Sequence, residues 1–426
     1  MNKIKKIAVI GSGIAGHVAT YRLKDYFDVS LFEQDDRFGG HANTVDIIKD
    51  DNVTPVDTGF IVYNELTYPG LTNLLKELQV NSIATDMSFG ASLSLHNLEY
   101  SSKSINSLFA QRKNLFNFSY LGIWKDFFRF RKEAKEYILK HPNDHETTLG
   151  EFIHTKGYGK AFRDSFLYAV AGAIWSTAPK DMDDFPLQSF LRFMINHKML
   201  DPWGQPVWRT IPGGSRKYVE AIINKGGYKK HPHHKVTSIL REKKGIKIIC
   251  DNHYQEIFDE VVVATHSDQA LKLLTTPSYK EQEILGSIKY QKNTAILHSD
   301  ENLMPKEKNA WAAWNVYIGK NNTDQVELSY DMNLLQNIKN GRWIVTLNNN
   351  REINEGLIHK TIQYQHPFFD ISALKAQKRW EEISGIDHVH YCGAYWKWGF
   401  HEDGLWSAIR VVENLKNKYI HELKGV

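Results

Sequence analysis

Apolar positions in this chain come in short runs separated by glycine turns. Ile7-Ala8-Val9-Ile10 runs directly into Gly11-Ser12-Gly13-Ile14-Ala15-Gly16. A short apolar run bounded by turn residues reads as a buried strand. A helix-compatible stretch follows, and a second short run from Val29 to Phe32 ends at Glu33. Tyr68-Pro69-Gly70 opens a predicted helix with Leu71, Leu74, Leu75 and Leu78 on one face. Residues 86–101 alternate as strands do, and residues 147–200 are mostly helical by pattern. Within them Phe166 to Ala178 reads as a short buried helix, below the roughly 18 apolar residues that span a bilayer.

Further along, Trp203 to Gly214 reads as a Pro/Gly-rich return loop, and Ser215 to Asn224 as a helix. His231 to Leu240 and Gly245 to Cys250 read as strands, with Val236 in a short parallel strand beside a nucleotide. Phe258 to Thr265 is a buried strand that brings Ala264 and Thr265 to a small-residue turn. Residues 286–350 carry several more strands. The chain then closes with Val389 to Tyr391, a turn at Cys392-Gly393-Ala394, and a helix starting near Leu405.

The opening order of strand, glycine turn, helix, strand and acid is a dinucleotide-binding unit. Gly11 permits the tight turn, Gly13 lets backbone approach a pyrophosphate, and Gly16 lets the helix pack on the strand. Amides of Ser12, Ile14 and Ala15 at the helix start offer donors and partial positive charge to phosphates. Glu33, with Gln34 beside it, can accept hydrogen bonds from an adenosine ribose. The following Gly39-Gly40-His41 resembles the second glycine motif of two-dinucleotide-binding-domain flavoproteins, which implies FAD rather than a nicotinamide cofactor, with His41 as a hydrogen-bond donor. Val56 to Phe60 is a turn feeding the flavin, which makes Thr58, Gly59 and Phe60 candidate cofactor contacts. Asp57 and Thr58 also suit plain turn formation.

The remaining composition narrows the class. A chain of 426 residues suits two interleaved domains. Its formal charge of +4, without a basic reading motif, gives no case for nucleic acid. Cys250 and Cys392 are far apart, which excludes a disulfide framework and fits a reducing cytoplasm. The chain enters its first strand within a few residues, so no leader is expected. No metal site is expected either: His231, His233 and His234 read as a solvated loop, and His388 and His390 as packed or exposed strand residues. The stretch 114–140 carries Phe116, Phe118, Trp124, Phe127, Phe128 and Phe130 among basic residues. It reads either as an aromatic helix packed on its own domain or as a segment touching lipid headgroups, a peripheral membrane contact.

With GSGIAG, RFGGHANT, VDTGFIVYNELTYPGL, IPGGSRKYV, VVVATHSDQAL, QHPFFD and GAYWKWGFHEDGLWSA, the chain resembles the flavin amine oxidase and phytoene desaturase superfamily. Within it, the chain is similar to bacterial predicted FAD-binding proteins associated with cyclopropane-fatty-acid-synthase-type lipid methyltransferases. The resemblance implies an α/β, Rossmann-like fold with an inserted α+β substrate domain and non-covalent FAD. It implies an FAD-binding part at 1–85, 205–285 and 385–426, and a substrate part at 86–204 and 286–384. Gly393, Ala394, Phe400, His401, Glu402, Asp403 and Gly404 would meet the flavin. An acid usually follows the C-terminal glycine in such proteins. Here Ala394 stands there, leaving Glu402, Asp403 or backbone amides for that role unless the two acids simply cap the helix.

An aromatic-rich chain suits an apolar substrate: 11 Trp and 21 Phe are present. The resulting expectation is hydride abstraction from an activated C–H of a lipid, most directly desaturation of an unsaturated or methyl-branched acyl chain. Double-bond isomerisation, amine or porphyrinogen oxidation, and a non-catalytic flavoprotein assisting a methyltransferase are the alternatives. His401 and Tyr395 are the catalytic candidates, with His401 either accepting a proton or donating to a flavin carbonyl. Lys292 is expected on the far face of its strand, which counts against amine oxidation.

Overall fold

A computed structural model describes residues 4–144, 146–175, 178–201, 204–320 and 326–419. The chain runs β1 (Lys6–Ile10), α1 (Ile14–Leu23), β2 (Asp28–Phe32), α2 (Pro69–Glu77), β3 (Phe89–Leu93), β4 (Leu98–Ser101) and α3 (Phe118–Lys140). It continues through α4 (Tyr168–Trp175), α5 (Leu187–Asn196), α6 (Arg216–Lys225), β5 (Lys229–His231) and β6 (Glu260–Val263). Then come β7 (Lys289–His298), β8 (Trp314–Ile318), β9 (Glu327–Asp331), β10 (Ile344–Leu347), β11 (Ile358–Phe368), β12 (Val389–Tyr391) and α7 (His401–Lys418).

Two sheets organise the chain. The first is parallel throughout, in the order β5-β2-β1-β6-β12. Apart from Lys6 and Glu260, its central strands β1 and β6 are apolar and buried, with α1 packed against them. The second has seven strands, β11-β7-β10-β9-β8-β3-β4, antiparallel except for β8 against β3. Helices α3, α4 and α5 pack together by their aromatic residues. Phe130 sits between Phe152, Phe162 and Phe190, and Trp175 meets Phe185 and Phe193.

Several sequence expectations shift. Val236 does not lie on a parallel strand. It starts an antiparallel strand, Val236–Glu242, and the parallel edge strand is β5. Asp57 ends a strand, Asn52–Asp57, rather than forming a turn. The return loop contains a short strand, Trp208–Thr210, and the last helix begins four residues before Leu405. Ser176, Thr177 and Trp203 lie outside the described residues. No helix among the described residues is long and apolar enough to cross a membrane.

His388 and His390 have a structural job. With Lys418 and Tyr419 they surround the buried Glu260 carboxylate at the start of β6, at 2.5–2.9 Å. This knot ties the end of α7 to the central sheet, and these donors hold Glu260 well below its ordinary value of 4.5. The resulting stability is complete above about pH 4.5 and is lost as pH falls through the folded-state value. Glu260→Gln is expected to lower the unfolding free energy by about 3 kcal/mol near pH 7. Urea unfolding should show that gap narrowing once the pH drops below about 4.5.

Candidate flavin site

The glycine turn after β1 is shaped by close backbone contact. Gly11 has φ +96° and donates to Phe32 O at 2.9 Å. A Cβ on Gly16 would lie 1.8 Å from Gly11 O, so α1 reaches the strand only through glycine. A Cβ on Gly13 would meet no heavy atom within 4 Å. Gly13 therefore borders open space at the start of α1, where a pyrophosphate would run.

Glu33 faces this turn. Its carboxylate accepts from Ser12 N at 3.0 Å, Ser12 Oγ at 2.5 Å, Gln34 N at 2.8 Å and Asp35 N at 3.1 Å. Gly39 N donates to Ser12 O at 3.0 Å, and a Cβ on Gly40 would lie 3.0 Å from Gly13 Cα. The second glycine pair thus rests on the first turn. His41 follows, half-buried and stacked on Tyr364 at 4.6 Å, with no hydrogen-bond partner for its buried Nε2. Burial first, then the neighbouring His366 and His266, hold His41 far below its usual value, so it is neutral.

One cavity of about 1850 Å³ collects these groups. Of the sequence candidates, its wall includes Gly11, Ser12, Gly13, Ile14, Ala15, Glu33, Gln34, Gly40, His41, Gly59 and Phe60. It also includes Val236, Ala264, Thr265, Gly393, Ala394, Tyr395, Phe400 and His401. The volume exceeds the roughly 300–1,000 Å³ of a typical small-ligand pocket. It suits a dinucleotide together with a second molecule.

The remaining candidates act behind the wall. Gly16 and Gly39 permit backbone contacts, and Gly404 brings α7 against Ile14. Thr58 donates to Asn43 O at 3.0 Å and meets Tyr364 Oη. Asp403 caps its own helix by accepting from Phe400 N at 2.9 Å and Trp398 N at 3.2 Å. Burial pushes Asp403 up to about 7. Glu402 turns away and caps α2, accepting from Gly70 N and Leu71 N. Both acids therefore cap helices, and neither borders the cavity. Asp57 gathers Thr44, Ser215 and Gln336 around one buried carboxylate, raised to about 6 by burial.

His401 is packed rather than poised. Its ring stacks on Phe60 at 3.7 Å, and its Nε2 lies 3.1 Å from Tyr218 Oη. Burial lowers it to about 3. A base that weak does not match proton abstraction at neutral pH. Burial also holds the Tyr395 phenol protonated, well above the usual tyrosine range. Lys292 corrects a further expectation, because it borders the cavity together with Tyr290 two residues before it.

Sequence reasoning assigned no role to Tyr364 or His366, although the QHPFFD motif marks their strand. It also missed Tyr218, Trp175, Phe193, His197, Trp314 and Tyr330, which no local pattern distinguishes from core. Among the described residues, no group of histidine, cysteine, aspartate or glutamate could hold a metal ion.

A family model for flavin-containing amine oxidoreductases matches residues 14–332. The chain belongs to that family. As a member it is an FAD-dependent oxidoreductase with an amine-oxidase-like fold. No curated protein matches the sequence. Among solved structures, the flavoprotein is similar to a CLA-producing fatty acid isomerase from P. acnes. That match has 15% identity and TM-score 0.68, covering 97% of this chain and 99% of that one. It is similar to cyclohexylamine oxidase from Brevibacterium oxydans at 13% identity and TM-score 0.69, covering 97% and 100%. It is also similar to putrescine oxidase bound to putrescine at 12% identity and TM-score 0.68, covering 96% and 98%.

The residues present fit FAD: an open cradle at Gly13, a carboxylate at the end of β2, and an unpartnered buried imidazole nitrogen on His41. Gly13→Glu is expected to yield protein without bound flavin, because the carboxylate fills the pyrophosphate path with like charge. Gly13→Ala should weaken flavin binding less than the glutamate does, since its single methyl group enters the same path without charge. Absorbance of the purified variants at the flavin bands checks both.

Proposed function

We propose that this oxidoreductase removes a hydride, taken by FAD, from an activated carbon of an unsaturated or methyl-branched fatty acyl chain, and that the neighbouring carbon gives up a proton to a neutral histidine of the cavity wall, leaving a new double bond. The observation that carries this reading is an apolar gallery continuous with the flavin cradle. Beyond Phe60, Phe193 and Phe400 the cavity wall continues through Trp175, Ile174, Phe166, Phe127, Trp124, Leu108 and Tyr100. Burying an acyl chain there gains about 0.8 kcal/mol per methylene, enough to hold it without a charged anchor.

When bound, FAD supplies the hydride acceptor; the side chains must orient the carbon, exclude water and deal with any proton. The gallery's aromatic walls serve the first two needs. A second reading, double-bond isomerisation, has its own support. His197, His366 and His401 border the junction of gallery and cradle, and burial lowers them to about 4, 4 and 3. Neutral histidines of that kind are weak proton acceptors. Returning the hydride to another carbon requires none. A link to a lipid methyltransferase belongs to the same proposal, because a methylated acyl chain is one substrate of this chemistry. Lys292 on the cavity wall keeps amine oxidation as the contrast to be tested.

Anaerobic incubation of the holoenzyme with total membrane lipid separates these outcomes. Flavin bleaching with loss of two hydrogens from a fatty acid is the expected result. Unchanged mass with a shifted double bond selects isomerisation instead. Bleaching by amines and by no lipid overturns the proposal.

A further inference from the structure

The gallery ends beneath an unusual piece of surface. Phe116 and Phe118 are 85% and 90% exposed, and Ile105 is 78% exposed. Phe118 opens α3, and Leu121, Lys125 and Phe128 follow on the same outer face at helical spacing. The inner face of the helix carries Tyr120, Ile123, Phe127 and Phe130, all buried. Helix α3 is therefore apolar on two sides. One side packs on its own domain and the other meets solvent. Scattered exposed apolar residues are ordinary, whereas a cluster of large ones marks an interaction site.

Within the segment that carries this cluster the charges have one sign. Residues 103–125 contain Lys103, Arg112, Lys113 and Lys125 and no aspartate or glutamate. Of these, Lys103 lies 3.8 Å from Asp86, and Arg112 donates to Asn106. A second copy of the chain pairing symmetrically here would bring this basic face onto itself. An anionic surface complements it. The cavity reaches the same place: its wall includes Trp124 and Phe127 from α3, Leu108, and the exposed Ser102 and Lys103.

We infer that this face docks on an anionic phospholipid surface, with Phe116, Phe118 and Ile105 entering the headgroup boundary. Lys113 and Lys125 meet lipid phosphates there. Acyl chains then pass from the bilayer past Lys103 and Leu108 into the gallery. The docking stands on the surface itself; the passage of acyl chains rests on the function proposed above. Basic residues flanking inserted aromatics is the arrangement by which peripheral proteins hold a bilayer.

The test is co-sedimentation of the holoenzyme with vesicles of phosphatidylcholine alone and of phosphatidylcholine with phosphatidylglycerol. Binding is expected on the mixed vesicles, weakened by salt. Replacing both residues, Phe116→Ser with Phe118→Ser, should reduce partitioning at least roughly tenfold while the flavin spectrum stays unchanged. Lys113→Glu with Lys125→Glu should weaken binding to the anionic vesicles without removing exposed apolar surface. Equal binding by the phenylalanine variant overturns the inference. So does a self-association in solution, without vesicle binding, that this variant abolishes. Vesicle binding without any lipid turnover leaves the docking intact and contradicts the proposed reaction. Turnover of detergent-solubilised lipid without vesicle binding contradicts the docking alone.

Discussion

The carboxyl ends of β1, β6 and β12 meet side by side, and the whole site hangs from that meeting. Ala264 N donates to Ile10 O at 2.8 Å, and Cys392 N to Val263 O at 3.1 Å. A Cβ on Gly11 would already lie 3.0 Å from Ala264 O. Three segments from distant parts of the sequence thus share one sheet edge at backbone contact. Helices can begin there only where side chains are absent or small, as Gly16 and Gly404 show. The cradle for a dinucleotide is a consequence of that crowding: open space remains at Gly13 and little elsewhere.

Much of this arrangement is legible locally. The order of strand, glycine turn, helix and acid depends on neighbours within a few tens of residues, and the structure reproduces it from Lys6 to Glu33. What escapes is set by contacts across the fold. Glu402 sits beside Asp403, yet it caps a helix more than 300 residues earlier, because α2 ends up against α7. Val236 reads as a strand but pairs antiparallel with Cys250. Lys292 reads as facing away when Asn293 sets the alternation. In the sheet it shares a cavity-facing side with Tyr290, while Asn293 is buried against His366 and Asn348. Strand alternation is reliable, but which side faces a ligand depends on a sheet that no local window contains.

The electrostatics point one way. His41, His197, His366 and His401 border the cavity with no acidic side chain acting on them, and burial drives each toward its neutral form. Acids near the cradle are occupied with backbone amides: Glu33 with its own turn, Glu402 with α2, Asp403 with α7. Strong acid–base chemistry is therefore absent from the groups that the sequence put forward for it. The gallery offers shape and burial instead, which is a suitable environment for moving hydride on an apolar molecule. Aromatic content that looks like surplus core in the sequence divides in the structure between packing, the gallery wall and the outer face of α3.

The central claim is that the gallery holds an acyl chain by burial alone. Anaerobic titration of the holoenzyme with saturated fatty acids of graded length, followed by flavin difference spectra, tests it most directly. Burial of about 0.8 kcal/mol per methylene corresponds to roughly fourfold tighter binding for each added carbon until the gallery is full. That progression is the result the account predicts. Affinity independent of chain length, or tighter binding of short polar amines than of any fatty acid, would contradict it.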